Sequence, residues 1–412
     1  MSIALNSTDP PAEVAFKLLT RLGLVVLFIA LPVLGIFWRS ALYVLLPIGA
    51  ALILIGTLLD EAHKNIGKLR GSLFSPAIMA ALFLFFWAAL SLIWTPFPQE
   101  AAPRLFKAAA TTFLAALVAL YLPAKSKPLD LLLLPVGLAV SGVVTLILAF
   151  IGSPWFLSQI AFDDSLFERA MVTMIVLIWP ALGNLALREH WLSAAGLAIL
   201  AASVALAGFA QIALIATGAG ALTFAVAMSY PVRTGLVLAW LCGGVILFAP
   251  ALPFLYRLAL FSSGMEPGPF SAPLLIWSDL IVAQWPRLIT GHGFDFVRQG
   301  FSLGYLPERA PKSLLFVVWY DLGVAGALGL AALLVQAFRY AATSPVKTAP
   351  ALLAGLVANL TIALLGIASI QIWWVTLLDC DVIAFALLFK GLDKVHHPAI
   401  QLVRTAESGA VS

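Results

Sequence analysis

The residues of this chain that can do chemistry gather in two stretches. The first is SPWFLSQIAFDDSLFERAM, where Asp163, Asp164 and Glu168 precede Arg169. The second runs from Arg287 to Gly326 and carries Arg287, His292, Arg298, Arg309 and Lys312. A guanidinium presents a planar fork of donors that grips two oxygens of a phosphate or pyrophosphate at once. Arg169 suits that work, because three carboxylates within six residues can orient it. An arginine beside apolar spans can instead snorkel toward lipid headgroups, and this is expected of Arg39, Arg104 and Lys107. Lys312 sits between Pro311, which stops a preceding helix, and Ser313, which opens an apolar segment. A helix N-terminus has unpaired N–H groups and a positive dipole end. Charged, Lys312 would bind phosphate there; neutral, it would act as a base; it can also simply reach for lipid. His292 in GHGF has no helix-opening context and reads as a turn residue. The five histidines are scattered without ligand spacing, so no metal and no cofactor are expected. Cys242 and Cys380 both lie in apolar segments and suggest no disulfide framework.

The elements that must position these groups follow from composition. The chain has 412 residues, 62% hydrophobic and 10% charged, against roughly 25% charged in soluble domains. In lipid, backbone polar groups are satisfied only in helices or closed barrels. The apolar runs are continuous rather than alternating, which excludes a barrel. A window of roughly 19 residues yields about twelve spans: 22–38, 40–59, 75–95, 108–122, 131–151, 171–187, 191–209, 211–229, 234–255, 313–337, 349–370 and 373–390. The expected fold is an all-α polytopic membrane protein with about twelve transmembrane helices. Residues 1–21 and 391–412 would be cytoplasmic ends, 22–255 would hold the first nine spans, and 313–390 the last three. Lys and Arg are biased toward the short loops on the side of both termini, which places both ends inside. Residues 256–312 form one long loop on the outer face. Within it, APLLIWSDLIVAQWPRLI repeats apolar residues at helical spacing. This predicts a helix over 272–289, either lying on the bilayer with Trp277 and Trp285 as anchors or capping the bundle.

The order of these features resembles the O-antigen ligase and polymerase superfamily. FERAMVTMIVLIWPAL is similar to the family's helix that opens with Arg and ends in Trp-Pro. LLIWSDLIVAQWPRLITGHGFDFVR is similar to its Ile-Trp, surface helix, Pro, Gly-x-Gly-Phe and Arg pattern. KSLLFVVWYDLGVAG resembles the ligase signature, with Ser313, nine residues, then Gly323 and Gly326. SIQIWWV resembles the Trp-rich last helix. Lys312 stands where the signature has His. Pro273 stands where many members have Arg, and Arg287 is the candidate to stand in for it.

The resemblance implies a metal-independent inverting glycosyltransferase of the bacterial inner membrane with a periplasmic active face. Its donor would be an undecaprenyl-pyrophosphate-linked glycan, and its acceptor a lipid or another glycan. Membrane lipids are expected partners and nucleic acid is not. Arg169, Arg298 and Lys312 would be catalytic. Arg287, His292, Arg309, Ser313, Gly323 and Gly326 would bind substrate. If Lys312 binds phosphate, the base is His292, Asp295, Glu308 or no residue at all. A member that binds without transferring is the alternative. A transporter is a further one, built on Asp321, Asp379 and Asp381 inside the spans.

Overall fold

The computed structural model of the protein describes residues 11–59, 75–122, 130–151, 164–207, 211–264, 271–366 and 371–392. Among these residues every regular element is helical. α1 (Pro11–Val25) runs through a π turn (Val26–Ala30) into α2 (Leu31–Phe37), followed by α3 (Arg39–Leu59). α4 is Pro76–Ser91 and α5 is Pro98–Tyr121. A 3-10 turn, Asp130–Leu132, leads into α6 (Leu133–Ile151). α7 (Asp164–Leu187), α8 (Trp191–Ala207), α9 (Gln211–Ser229), α10 (Pro231–Leu247) and α11 (Ala251–Ser263) follow. Then come α12 (Ala272–Ala283), α13 (Arg287–Thr290) and α14 (Phe296–Ser302), and finally α15 (Leu314–Thr343), α16 (Ala349–Leu365) and α17 (Ile372–Leu392).

Eight helical segments are long and apolar enough to cross a membrane. α10 and α11 pass that test only together, across a bend of 78°. α4 has 16 residues, and α8 and α16 have 17 each. At about 1.5 Å per residue these three fall short of a hydrocarbon core of about 30 Å. The architecture is that of a multi-pass helical membrane protein. The expected spans all coincide with helices, but by length the secure count is eight, or nine with the bent pair. Hydropathy alone counts a short apolar helix like a long one.

Two starts differ from expectation. α1 begins at Pro11 rather than at residue 22, since Lys17 pairs with Glu13 one turn earlier at 2.9 Å. α5 begins at Pro98 rather than at residue 108. The hydropathy window had excluded Arg104 and Lys107, although helix formation does not require their exclusion.

The chain forms two compact units. The first comprises Met1–Ile66, Thr111–Leu214 and Thr376–Ser412. Here α1 and α3 meet through glycines: a methyl on Gly23 would sit 2.6 Å from the Gly49 carbonyl oxygen. Without a hydrophobic drive between helices in lipid, such small residues let backbones pack closely. At Gly137 on α6, an added Cβ would lie 1.8 Å from the Phe28 carbonyl oxygen, on the π turn. Helix ends are tied by cations. Lys390 donates to the carbonyls of Leu120 and Leu122 at the end of α5, and Arg21 lies 3.8 Å from Asp130. The second unit comprises Gly67–Ala110 and Ile215–Val375. Its core centres on Phe316, Trp319 and Tyr320 of α15, packed with Trp277 and Ile246.

Gly137→Ala is expected to destabilise the protein by about 1–3 kcal/mol, because backbone cannot yield to an added methyl as a flexible side chain can. Gly244→Ala is the control: nothing lies within 4 Å of its added Cβ, so the helix should gain roughly 0.5–1 kcal/mol. Thermal unfolding of the detergent-purified variants checks both signs.

Candidate functional site

α15 starts cleanly. The Ser313 hydroxyl accepts from the Phe316 amide at 3.3 Å and caps the first turn. Ten residues on, the helix breaks at Gly323, which adopts φ 63° and ψ −158°. At the break, three carbonyls accept hydrogen bonds from outside the helix. Tyr320 O accepts the His292 amide and Asp321 O the Gly293 amide, each at 2.9 Å. Leu322 O accepts the Trp87 indole N–H at 2.8 Å. Glycine is required on both sides of this junction. A Cβ on Gly323 would lie 2.5 Å from Ile289 O, and one on Gly291 2.2 Å from Asp321 O. Gly326, the other glycine of the signature, is buried one turn further on.

The loop after Gly291 is bound residue by residue. The Phe294 amide donates to the Ser91 hydroxyl at 2.9 Å, and the Thr95 hydroxyl donates to Phe294 O at 3.3 Å. Asp321, only 4% exposed, uses both oxygens. Oδ2 accepts the Asp295 amide at 3.1 Å and Oδ1 the Val297 amide at 2.8 Å. A carboxylate here caps the first amides of α14. Asp295 stands at φ 69° and is also 4% exposed. Its carboxylate receives Arg298 Nε at 3.2 Å and Arg104 Nε at 3.3 Å. Two guanidiniums therefore converge on one buried carboxylate. Arg104 is not the lipid-facing arginine expected from sequence. Its side chain is 17% exposed, against 40% for Arg298.

Beside this loop lies a groove lined by Trp277, Gln284, Arg287, His292, Trp319 and Tyr320 among others. The His292 ring stacks on Tyr320, with centroids 4.1 Å apart at 12°. Nδ1 lies 3.0 Å from Tyr320 O and Nε2 lies 2.7 Å from Gln284 Oε1. The Tyr320 hydroxyl donates to the same oxygen at 3.0 Å. Burial pushes the His292 pKa below its ordinary value, and the Arg287 charge adds to this, while the Tyr320 carbonyl opposes it. His292 is therefore more than the turn residue that GHGF alone suggests.

The helix expected over 272–289 is interrupted. α12 ends at Ala283, and α13 starts only at Arg287. Trp277 is no lipid anchor. It is 3% exposed and meets Phe316 edge-on at 5.6 Å, whereas Trp285 is 65% exposed. Apolar periodicity cannot tell a lipid-facing stripe from a protein-facing one.

Arg287 and Arg309 are exposed. Lys312 is exposed too, with Nζ 5.2 Å above the Phe301 ring. Arg169 belongs to the first unit. It is 8% exposed and donates through Nη2 at 3.1 Å and Nε at 3.4 Å to Ile36 O, near the end of α2. Glu168 is within electrostatic reach of Arg169 and Arg39. Asp163, both chain ends and the start of SIQIWWV lie outside the described residues, as does the side chain of Asp164. The break therefore gathers Arg298, His292, Arg287 and Gly323. Sequence reasoning missed Arg104, Asp295, Gln284 and Tyr320 as their supports, and placed Asp321 only as a transporter residue. The available signal was an aspartate two residues before a glycine in an otherwise apolar span.

Asp321→Ala should leave two buried amides without acceptors, at about 1–3 kcal/mol each. The expected result is a lower melting temperature together with faster hydrogen exchange at the Asp295 and Val297 amides. Unchanged exchange there would show that Asp321 does not hold the loop. Gly323→Ala should be at least as damaging, since it adds a clash to an unfavourable positive φ.

The chain matches no protein-family model, no curated protein and no solved structure.

Proposed function

We propose that the protein is a membrane glycosyltransferase of the O-antigen ligase or polymerase type. It transfers a glycan from undecaprenyl pyrophosphate to a lipid or glycan acceptor, without metal or nucleotide, in the bacterial inner membrane. The observation that carries this reading is the basic surplus at the broken helix. Arg298 and Arg104 share the Asp295 carboxylate, and Arg287, Arg309 and Lys312 occupy the same stretch of chain, all exposed. In the reaction an acceptor hydroxyl attacks the anomeric carbon, and the pyrophosphate departs with the bonding electron pair. Positive groups fixed in advance where that charge develops lower the barrier. Arg298 is such a group, because the Asp295 carboxylate holds its Nε and thereby its orientation. Lys312 serves as an anion ligand at the start of α15, where the helix dipole favours phosphate.

The second reading is a protein that binds the polyprenyl carrier without transfer. It is favoured by Lys312 in the signature's histidine position and by the engagement of Arg298 with Asp295. A transporter built on Asp321 has less support, since both oxygens of that carboxylate are committed to loop amides.

The proposal includes twelve spans, both termini inside and the α12–α14 region on the periplasmic face. Cys242 and Cys380 are buried, so introduced cysteines can be labelled over a low background. Ser302→Cys should react with an impermeant reagent on intact cells and Ser344→Cys should not; the reverse pattern overturns the orientation. In a reconstituted transfer assay, Arg298→Ala is expected to reduce release of undecaprenyl pyrophosphate by about 10²–10³-fold, the cost of removing one preorganised donor. Lys312→Arg should retain transfer and Lys312→Ala should lose it. Loss in Arg with rescue in Lys312→His would make Lys312 a base. Donor binding without turnover in the unmodified protein would select the second reading.

A further inference from the structure

We propose that α11 does not complete the crossing begun by α10. It lies along the membrane plane, and its exposed side is an interaction surface for the acyl chains of the surrounding lipid. Nothing in this depends on glycosyl transfer.

The bend between the two helices is built into the chain. α10 ends at Leu247 and α11 starts at Ala251, at 78° to it. In a continuous helix the Ile246 carbonyl would accept the amide of residue 250, but Pro250 has no N–H. Ile246 O instead receives a long bond from the Ala249 amide, 3.5 Å, and a short one, 2.8 Å, from the Trp319 indole of α15. Trp319 is buried. A carbonyl freed inside a membrane needs such a donor, so the bend is fixed by the protein around it. The apolar span expected over 234–255 therefore turns before its end.

Length agrees. Straightened, Pro231–Ser263 would measure about 50 Å at about 1.5 Å per residue, far beyond a hydrocarbon core of about 30 Å. α10 alone has 17 residues and is about 26 Å long, so a helix about 10 Å across laid over its end fills what remains. At 78°, the 13 residues of α11 advance only about 4 Å along the direction of α10.

α11 has two sides. Pro253 is buried, and Tyr256 and Leu260 are half-buried beside it. The opposite side carries Leu252, Phe254, Leu255, Leu258 and Phe261, from 39% to 87% exposed. At 3.6 residues per turn these five span about half of the helix circumference. An apolar arc of that extent marks an interaction surface, and α10 shows what covers it. Val237, Trp240 and Leu241 of that helix are exposed as well, and on a membrane-crossing helix such residues face lipid. Phe248, in the turn between the two helices, is 72% exposed, so exposed apolar residues run on from α10 through the turn into α11. Arg257 stands at the border of the arc. It pairs with Asp279 of α12 at 2.8 Å and donates to the Ser278 hydroxyl at 3.3 Å. From a helix in the plane, a guanidinium there reaches headgroup level. The same ion pair ties α11 to α12, whose Trp277 packs on Phe316 of α15. Lipid contact at α11 thus sets the height of that packing against the bilayer.

The test uses the full chain in lipid nanodiscs. A nitroxide is attached to the single variants Leu252→Cys, Leu255→Cys, Leu258→Cys and Phe261→Cys, over the buried Cys242 and Cys380. Collision with oxygen, which concentrates among acyl chains, and with a water-soluble nickel chelate reads the depth of each label. All four should meet oxygen as readily as the lipid-facing reference Trp240→Cys and should be shielded from nickel. Labels at 252 and 261 should lie at depths equal within about 5 Å, the radius of a helix. A helix continuing across the membrane would separate them by roughly 13 Å, at about 1.5 Å per residue. That separation, or free access of nickel, overturns the proposal. Spin–spin broadening in singly labelled protein does so too, since it would put a second copy of the chain on this face. The unmodified protein supplies a second measurement if the variants fold poorly. A phospholipid with a diazirine in its acyl chain should cross-link to the peptide containing Ala251–Ser263, and adducts on α10 without adducts there overturn the proposal.

Discussion

A helix in the low-dielectric part of a membrane cannot break without finding new partners for its carbonyls. α15 breaks at Gly323, and the second unit is organised around the consequences. Three carbonyls turn outward, and the chain supplies three donors from far away in sequence: the Trp87 indole and the backbone of His292 and Gly293. The loop between α13 and α14 is thereby fixed to the helix by main-chain bonds as well as by side-chain packing. Irregular backbone within a membrane is tolerated where protein covers it. Gly291 and Gly323 are glycines because the two strips of backbone come closer than any Cβ allows, and Gly293 because Thr95 lies as close to it.

That attachment places the charges. Asp321 sits two residues before the break, and its carboxylate reaches the first amides of α14. Val297 and Asp295 are held, so Asp295 projects its own carboxylate to Arg104 and Arg298. Isolated buried carboxylates cost several kcal/mol. Here one is neutralised by two guanidiniums, and the other is satisfied by two amides. The arrangement orients Arg298 without immobilising it, since it remains 40% exposed. His292 is set by the same junction, because its backbone and its Nδ1 share the Tyr320 carbonyl.

The first unit solves a related problem differently. The π turn between α1 and α2 displaces the Phe28 carbonyl toward α6, and Gly137 makes room for it. Nearby, the Leu27 carbonyl lies 3.6 Å from the Cys380 thiol. Arg169 closes α2 by donating to Ile36 O. A guanidinium there supplies fixed donors to carbonyls that lack helical partners.

The helical class and the apolar spans were legible in the sequence, because continuous hydrophobicity leaves the backbone no option but to bond within its own segment. The basic residues from Arg287 to Lys312 and the glycine pair at Gly323 and Gly326 were legible too, as residue types at a spacing. The chain's own letters did not reveal that GHGF docks on the broken helix, that Trp277 faces protein rather than lipid, or that Arg104 pairs with Asp295. Those facts depend on partners 28 to about 190 positions apart. Hydropathy measures how much a residue avoids water, and it is blind to whether lipid or another helix covers it. Hydrogen-bond direction and ion pairing exist only once distant segments meet, so the support of the site belongs to the tertiary structure alone.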